Sequence, residues 1–459
     1  MSASQKNEIL GVLAMNFSTA PRHFGLHPSW LRSFLAKKVS AAKGKVKTVS
    51  IKKYYDARHP IVYAIPNRKF LYVVDEQEDD IGPKHYLWFS STLFYIDKEI
   101  EGSVFWALKN RFFWRLANIS QLGYLVNPYD PHHEKIYYIA PPFIHKRLDH
   151  SLLAALMTEV ILARNGFSSE ERAPIVLTVA CHDIATPAGG EPIKRINLSE
   201  FDEEKNFASV LMRSGLAEKW AELFNFNLEK ASAWVKNRGV MGFLLDVFDK
   251  LSYVSLDCYH LGCMFNGKVR EYCLDNPLFI DVWEDIKFTP DKKRFAFVNQ
   301  ERLFTFLLAR GYEHQELLLN PEARRLDFYL TKLVKPLYER GLITKEQLLT
   351  WGNVELETEL GKYYEDKEIK KRFFTPDDYD WKVFKSEDEQ RNFCQMIGRN
   401  KIEHTEYIRG FNPCLDWPVF TDKKQTKIVP LRKCLSKEKI KLLTNIVKSV
   451  RGYYVYYKK

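Results

Sequence analysis

The feature that most constrains the fold of this 459-residue chain is a long helical stretch with two histidines and two aspartates at fixed places. It holds His150, the pair His182-Asp183, and Asp249. Two imidazoles and two carboxylates can hold one divalent metal ion and leave positions open for water and a substrate. Mixed nitrogen and oxygen ligands suit Mn, Fe, Zn or Ni better than a soft metal. These four residues are the predicted metal ligands.

The sequence predicts the helix that carries the His-Asp pair. Ser168 and Glu171 have the spacing of a capping box, in which each residue bonds the backbone N–H of the other. An apolar run over 175–180 follows them. A buried helix is therefore expected to begin after Ser168 and to end near His182-Asp183.

A second helix is predicted to present acids on one side. Asp249, Tyr253 and Asp257 are spaced i, i+4 and i+8, so they share one helical face. The neighbouring segments 240–245 and 251–254 are too apolar for a solvated acidic stripe. Two acids on a buried face are costly unless they are paired or bind a metal ion. This spacing therefore favours a metal or substrate site.

Composition fits a globular protein with a large core, since 46% of the residues are apolar and 28% are charged. The sequence has no run of 18 apolar residues, so no transmembrane helix is expected. Its first residues lack the layout of a signal peptide. The seven cysteines are scattered without a C-x-x-C pair, which argues against a disulfide framework or zinc ribbon. A cytoplasmic location is expected.

The net charge of +11 favours anionic partners. Nucleotides, nucleic acid and an acidic surface all satisfy that preference. A basic enzyme without a nucleic-acid partner fits the charge equally well. The net charge alone therefore does not indicate which of these partners the protein binds.

Three regions are predicted: an N-terminal extension, partly β, over 1–104; a helical domain over 105–364; and an α+β lobe over 365–459. The last lobe is expected to end with a helix over 436–450 and a strand over 453–457. Other predicted elements are strands at 49–51, 61–65, 70–74 and 86–89, a hairpin within 276–299, and two helices within 326–349, broken near Pro336 and Gly341.

Several motifs occur together in a fixed order. They are Phe113-Trp-Arg-Leu116, Gln121-Leu122-Gly123, Arg147-x-x-His150, His182-Asp183, Asp249-Lys250-x-x-Tyr253 and Asp257-Cys-x-His-Leu-Gly262. This order resembles the deoxynucleoside triphosphate triphosphohydrolases, a family of HD-domain metal-dependent phosphohydrolases. That family includes bacterial dGTPases and the vertebrate antiviral dNTPase that carries a SAM domain. The match is best over 105–265 and continues more weakly towards the C-terminus.

The resemblance implies a mainly α-helical HD core and cleavage of a dNTP at the α-phosphate, giving deoxynucleoside and triphosphate. It also implies a divalent metal ion (Mn, Fe, Mg, Zn or Ni) and a homo-oligomer. For the triphosphate it implies contacts from Arg147, Lys250 and Tyr253, with Arg324 or Arg325 assisting. For the deoxyribose it implies contacts from Gln121, Leu122, Asp257, and Tyr329 (or Phe328), which would help to exclude ribose.

The sequence departs from the family after the His-Asp pair. Thr186 stands where the family has a histidine, and Glu203-Glu204 replaces a His-Glu pair further on. In the family these histidines protonate the leaving group and steady the bound water. Glu191, Glu203 or Glu204 is therefore expected to act as the catalytic acid or base. Otherwise the substrate differs, or the site binds a nucleotide without turnover.

Two classes of function follow from these residues. The favoured one is a metal-dependent nucleotide phosphohydrolase, specifically a dNTP triphosphohydrolase, because all four metal ligands remain. The alternative is a diverged HD protein that binds nucleotide or nucleic acid as a sensor or regulator, or a nuclease that uses the same metal. None of these functions requires a membrane.

Overall fold

The computed structural model describes most of the chain from residue 70 onwards. The described residues are 70–75, 84–89, 92–96, 110–121, 146–261, 282–283, 285–365, 379–422 and 424–459. The strands predicted at 49–51 and 61–65, and Leu122, lie outside these residues. So do the side chains of Cys258 to Leu261 and of Arg325.

The N-terminal part contains an antiparallel sheet of three strands: β1 (Phe70–Asp75), β2 (Lys84–Phe89) and β3 (Thr92–Ile96). Their order is β1-β2-β3, with Phe89 paired to Phe70 on one side and to Thr92 on the other. The strands predicted at 70–74 and 86–89 are confirmed. The third strand was not predicted from the sequence.

Helices dominate the middle of the chain. They are α1 (Arg111–Trp114), α2 (Arg147–Arg164), α3 (Ser169–Cys181), α4 (Glu191–Lys194), α5 (Glu203–Arg213), α6 (Leu216–Phe224), α7 (Leu228–Val235), α8 (Gly239–Leu261), α9 (Gln300–Glu313), α10 (Pro321–Glu339), α11 (Lys345–Thr350) and α12 (Asn353–Leu360). Helix α2 packs against both α3 and α8. Since these three helices carry the predicted metal ligands, their packing places the ligands in one region.

Helix α3 begins and ends where the sequence predicts. The Glu171 N–H donates to Ser168 Oγ at 3.2 Å, and the Ser168 N–H donates to Glu171 Oε2 at 2.7 Å. All residues from Ile175 to Cys181 are buried, and His182 is the C-cap. The capping box therefore fixes the start of the helix, and burial of its apolar end carries the His-Asp pair into the core.

Helix α10 is longer than predicted. It runs from Pro321 to Glu339 without a break at Pro336, and a turn at Gly341 then leads to α11. Gly341 has a φ of +69°, a conformation that favours glycine. Pro336 removes one backbone hydrogen bond, and the helix nevertheless continues to Glu339.

Two further sheets lie towards the C-terminus. The predicted hairpin is present as β4 (Ile286–Phe288) and β5 (Phe295–Phe297), which join β8 (Pro418–Phe420) and β9 (Ile428–Pro430) in the order β4-β5-β8-β9. The last sheet has the order β6-β10-β7 and consists of β6 (Tyr379–Phe384), β7 (Ile402–Ile408) and β10 (Gly452–Lys458). Helices α13 (Glu387–Ile397) and α14 (Lys437–Ser449) accompany these strands. The predicted final helix and strand are confirmed.

The fold class is mainly α, as predicted, with a large apolar core among the helices. Within the described ranges, no helix combines the length and the apolar character that crossing a membrane requires.

Candidate metal centre and cavity

Three of the predicted ligands bring their donor atoms together. The Nε2 atoms of His150 and His182 and a carboxylate oxygen of Asp249 all lie within 4.8 Å of one another. His150 Nε2 is 3.1 Å from His182 Nε2 and 3.1 Å from Asp249 Oδ1, and His182 Nε2 is 3.5 Å from the same oxygen. Ligands bound about 2.1 Å from one metal ion at near right angles are about 3 Å apart. The three separations therefore suit a shared ion.

Hydrogen bonds on the far side of each ring orient the two imidazoles. His182 Nδ1 lies 2.6 Å from the Val179 carbonyl oxygen, which can only accept. Ser252 Oγ donates to the Asp249 carbonyl oxygen at 2.9 Å, so it accepts from His150 Nδ1 at 2.7 Å. Both Nδ1 atoms therefore carry a proton, and both Nε2 lone pairs point into the cluster.

The charges and lone pairs of these donor atoms indicate whether a metal ion fits among them. Two Nε2 lone pairs and a carboxylate oxygen within hydrogen-bonding distance repel one another unless a cation or a proton lies among them. Burial would lower the pKa of His182, but Asp183 and Asp249 raise it to about 9. Near neutral pH, His182 therefore carries a second proton, on Nε2. A divalent ion would displace this proton and bind all three donor atoms. The site therefore fits a metal ion with nitrogen and oxygen ligands.

The fourth predicted ligand, Asp183, lies at the edge of the cluster. Its Oδ2 is 3.1 Å from Arg147 Nη1 and 3.6 Å from His150 Nε2, and its Oδ1 is 3.8 Å from His182 Nε2. Burial raises the pKa of Asp183, but Arg147 and the two imidazoles outweigh it and hold the pKa well below its usual range. Asp183 is therefore an ionised carboxylate shared between the guanidinium and the imidazoles.

A cavity of about 430 Å³ opens beside this cluster. His182, Asp183 and Asp249 lie in its wall, together with Tyr253 and Asp257. The predicted acidic face of α8 is therefore the face that lines the cavity. Burial raises the pKa of Asp257 to about 7, although a hydrogen bond with Glu313 and the charge of Arg147 act in the opposite direction.

Charged side chains from several elements complete the wall. Four are cationic, and eight are carboxyl groups. The cations are Arg147, Lys194, Arg195 and Arg324. The carboxyl groups are Asp183, Glu191, Glu203, Glu204, Asp246, Asp249, Asp257 and Asp327. Without an added cation the wall is therefore formally acidic, despite the basic charge of the chain.

The three acids predicted to act as acid or base all line the cavity. Lys194 Nζ lies 2.5 Å from Glu191 Oε1 and 2.8 Å from Glu203 Oε2, which ties two of them to one ammonium group. Burial would raise the pKa of Glu191, but Lys194 outweighs it and the pKa falls. Partial burial and the nearby Asp202 raise the pKa of Glu204. Glu204 is therefore better suited to hold a proton.

The residues expected to contact the substrate are divided by the structure. Gln121, Arg147, Tyr253, Asp257 and Arg324 line the cavity. Lys250 instead pairs with Asp246 on its own helix, and Tyr329 packs against the main core outside the lining set. Phe328 packs on His404 and Tyr456 with ring centroids 3.8 and 4.7 Å away.

Arg115, which was not predicted from the sequence, fixes the loop after the His-Asp pair. Its Nη2 donates to the carbonyl oxygens of Ile184 at 2.6 Å and Thr186 at 2.7 Å, and its Nη1 donates to that of Trp351 at 3.0 Å. Thr186 is fully buried, outside the cavity lining. The sequence indicated Arg115 only as part of the Phe113–Leu116 motif. Its role could not be inferred, because its hydrogen-bond partners are carbonyl groups far along the chain.

Lys194, Arg195 and Asp327 were also missed as cavity residues. The only sequence signal was the Lys-Arg pair after Glu191. Helix α4 brings this pair to the wall, and the loop before it packs closely: a Cβ on Gly189 would lie 2.9 Å from Ile193. With a φ of +86°, Gly189 also has a backbone conformation that other residues rarely adopt.

The sequence matches no protein-family model and no curated protein. Among the solved structures that share its fold are two that cover most of this chain. One is a hypothetical protein from Aquifex aeolicus, with a TM-score of 0.59 and 14% identity over 84% of this chain and 96% of that one. The other is a phosphohydrolase from Bacteroides thetaiotaomicron, with a TM-score of 0.52 and 16% identity over 80% of this chain and 97% of that one. At these identities the likeness establishes the fold.

Proposed function

We propose that this protein is a metal-dependent phosphohydrolase that acts on a nucleotide, with a deoxynucleoside triphosphate as the favoured substrate. The observation that carries the proposal is the meeting of two Nε2 lone pairs and a carboxylate beside a cavity whose wall also carries four cationic side chains. The fold likeness to a phosphohydrolase supports the same reaction class. The preference for a dNTP rests on the family resemblance of the motifs.

His150, His182 and Asp249 would hold the metal ion, and Asp183 would stand beside it as a fourth ligand. A bound divalent ion supplies a Lewis acid and lowers the pKa of a coordinated water. Arg147 holds Asp183 in place and would contact a phosphate oxygen with the remainder of its guanidinium group. The cations of the wall would neutralise charge that grows on the leaving triphosphate.

The acidic wall sets a condition on substrate binding. In the absence of a metal ion, eight carboxyl groups face four cationic side chains and His182, whose pKa is raised to about 9, so the wall offers a polyanionic nucleotide no net positive charge. A divalent ion adds two positive charges where the imidazoles converge. Nucleotide binding is therefore expected to depend on the metal ion, in addition to any dependence of the chemical step.

Glu204 is the better of the three acids for protonating the leaving oxygen. Its pKa is raised, whereas that of Glu191 is lowered through its pairing with Lys194. Glu203 keeps one oxygen, Oε1, buried and without a hydrogen-bond partner among the described residues, while Lys194 binds the other. Glu203 would therefore accept a hydrogen bond from a water or a substrate hydroxyl.

The experiment is a product analysis with each dNTP and ribonucleotide in Mn²⁺, Fe²⁺, Ni²⁺ or Mg²⁺, run in H₂¹⁸O. Release of triphosphate that carries ¹⁸O, together with unlabelled deoxynucleoside, would support attack at the α-phosphorus. The variant Asp249→Asn should abolish release, whereas Asp291→Asn, in an exposed turn of the β4–β5 hairpin, should not. Release of single phosphates would mean that a different bond is cleaved and would indicate another class of hydrolase. Absence of any product with every metal would reject the proposed activity.

Binding without turnover is a second candidate with an observation of its own. Lys194 pairs with both Glu191 and Glu203, two of the three acids expected to replace the absent histidines, so neither carboxylate is unpaired for acid-base catalysis. In that case nucleotides would bind in the presence of metal, yet ¹⁸O would appear in no product. The same experiment, with binding measured beside turnover, therefore separates the two candidates.

A further inference from the structure

Asp327 is a buried carboxyl group in the cavity wall that the proposed chemistry does not use. It is 1% exposed and lines the cavity from α10. Its Oδ2 lies 3.4 Å from Arg195 Nη2. Its other oxygen, Oδ1, has no hydrogen-bond partner among the residues that the structure describes. A buried carboxylate oxygen without a partner is costly, and a ligand can remove that cost.

The position of this carboxyl group is fixed by helix packing. Thr331 Oγ1, one turn further along α10, donates to the Pro192 carbonyl oxygen of α4 at 2.7 Å. Arg195, which follows α4, is therefore held beside Asp327. Arg195 Cζ also lies 4.7 Å from the centre of the Phe328 ring, so its guanidinium is anchored on both sides. Arg195 is therefore held in place, and Asp327 stays buried beside it.

The nearby guanidinium groups do not satisfy the remaining oxygen. Arg324 forms a two-pronged ion pair with Glu406 of β7, with Nε 2.8 Å from Oε1. Arg195 Nη1 also approaches Glu406, at 3.8 Å. Burial raises the pKa of Asp327 to about 7 against the opposing charges of these two arginines. A hydrogen-bond donor from a ligand would stabilise the ionised form.

The free oxygen specifies what kind of ligand atom belongs there. In its ionised form, which a ligand donor would stabilise, Asp327 can only accept hydrogen bonds, and phosphate oxygens do the same. Asp327 therefore repels the phosphate part of a nucleotide and suits a hydroxyl or an amino group. Arg195, 3.4 Å away on the same wall, suits a phosphate or another acceptor. Asp327 and Arg195 can therefore distinguish the two parts of a ligand that carries both a hydrogen-bond donor and a phosphate.

We infer that Asp327 is a specificity-determining residue, whose Oδ1 accepts a hydrogen bond from a hydroxyl or amino group of the nucleoside part of the substrate. The inference rests on the proposed function, since it assigns the nucleoside to that side of the cavity. It also distinguishes a nucleotide from inorganic triphosphate, which has no such donor.

The test compares the wild type with Asp327→Asn in the presence of Mn²⁺. The ligands are inorganic triphosphate and a panel of nucleoside α-thiotriphosphates, which hydrolyse slowly. The panel includes ribose, 2′-deoxyribose and 2′,3′-dideoxyribose sugars, and bases with and without an exocyclic amino group. The control is Asp285→Asn, another buried acid that pairs with an arginine, Arg302, at 3.2 Å but lies outside the cavity lining.

Asp327→Asn should weaken binding of nucleotides that carry the donor about 10- to 100-fold, as expected for a hydrogen bond to a charged group. Inorganic triphosphate should bind as before, which also establishes that the variant is folded. The analogue that lacks the hydroxyl or amino group bound by Asp327 should bind the variant and the wild type equally. Asp285→Asn should leave every affinity unchanged.

Two results would overturn the inference while the proposed function stands. In one, Asp327→Asn binds every nucleotide as the wild type does. In the other, nucleotides and inorganic triphosphate weaken together, which would mean that Asp327 acts only by holding Arg195. Failure of wild-type protein to bind any nucleotide with metal present would instead reject the proposed function, and the inference with it.

Discussion

Replacement of Ser252 by alanine is the sharpest test of the metal centre. Ser252 Oγ accepts a hydrogen bond from His150 Nδ1–H at 2.7 Å and donates one to the Asp249 carbonyl oxygen at 2.9 Å. Alanine removes the acceptor and leaves a buried imidazole N–H unpaired, since His150 is fully buried. The ring then loses the contact that points its Nε2 lone pair at the metal.

The size of the effect follows from that single hydrogen bond. An unsatisfied buried donor costs about 1–3 kcal/mol, and loss of such a supporting contact lowers metal affinity about 10- to 100-fold. We therefore expect the Kd for Mn²⁺ or Zn²⁺ to rise by that factor in Ser252→Ala. Isothermal titration of the metal-free protein measures it directly, without any assumption about the substrate.

Ser255→Ala provides a matched control. Ser255 lies on the same helix, is also buried, and donates to the Leu251 carbonyl oxygen, but it has no contact with either imidazole. Its replacement should change metal affinity by less than about twofold. The reasoning is refuted if Ser252→Ala binds metal as tightly as the wild type, or if both serine variants weaken it equally.

Three further results are expected. Arg115→Met removes hydrogen bonds to three backbone carbonyls, including those of Ile184 and Thr186, and should lower the free energy of unfolding in urea by about 3 kcal/mol. The exposed Arg111→Met should change it by less than about 0.5 kcal/mol. Removal of metal with EDTA should abolish nucleotide binding in equilibrium dialysis, because the cavity wall is acidic; undiminished binding would contradict that charge balance. Burial and Arg310 lower the pKa of His314 from 6.5 to about 3, so the unfolded state binds the proton first and stability falls as pH drops below 6.5. When the pH falls from about 7 to about 5.5, the free energy of unfolding of the wild type should therefore drop by on the order of 1 kcal/mol more than that of His314→Asn. Equal shifts of the urea midpoint in the two proteins would refute this.

Much of the local structure could be predicted from the sequence, because it depends on neighbours within a few positions. The Ser168–Glu171 capping box sets the start of α3, and its apolar run carries His182 into the core. The spacing of Asp249, Tyr253 and Asp257 by four residues places them on one face, since about 3.6 residues complete a helical turn. These features require no knowledge of the rest of the fold.

Contacts between distant segments could not be predicted in the same way. The acceptor for His150 is Ser252, 102 positions along the chain, and the donors on Arg115 reach carbonyl groups up to 236 positions away. Serine and arginine in helical stretches are common and carry no signal of such roles. Only the packing of α2 against α8, and of the Arg115 segment against the loop after α3, determines these partners.

The far wall of the cavity illustrates the physical limit best. The motif pointed to Tyr329, but α10 presents Asp327 to the cavity. Residues two positions apart along an α-helix are about 200° apart around its axis, so their side chains lie on nearly opposite faces. The sequence determined which side chains are available as metal ligands and as charged groups of the cavity wall. The rotation of each helix against its neighbours decided which of them meet, because burial of the apolar faces fixes that rotation for all helices at once.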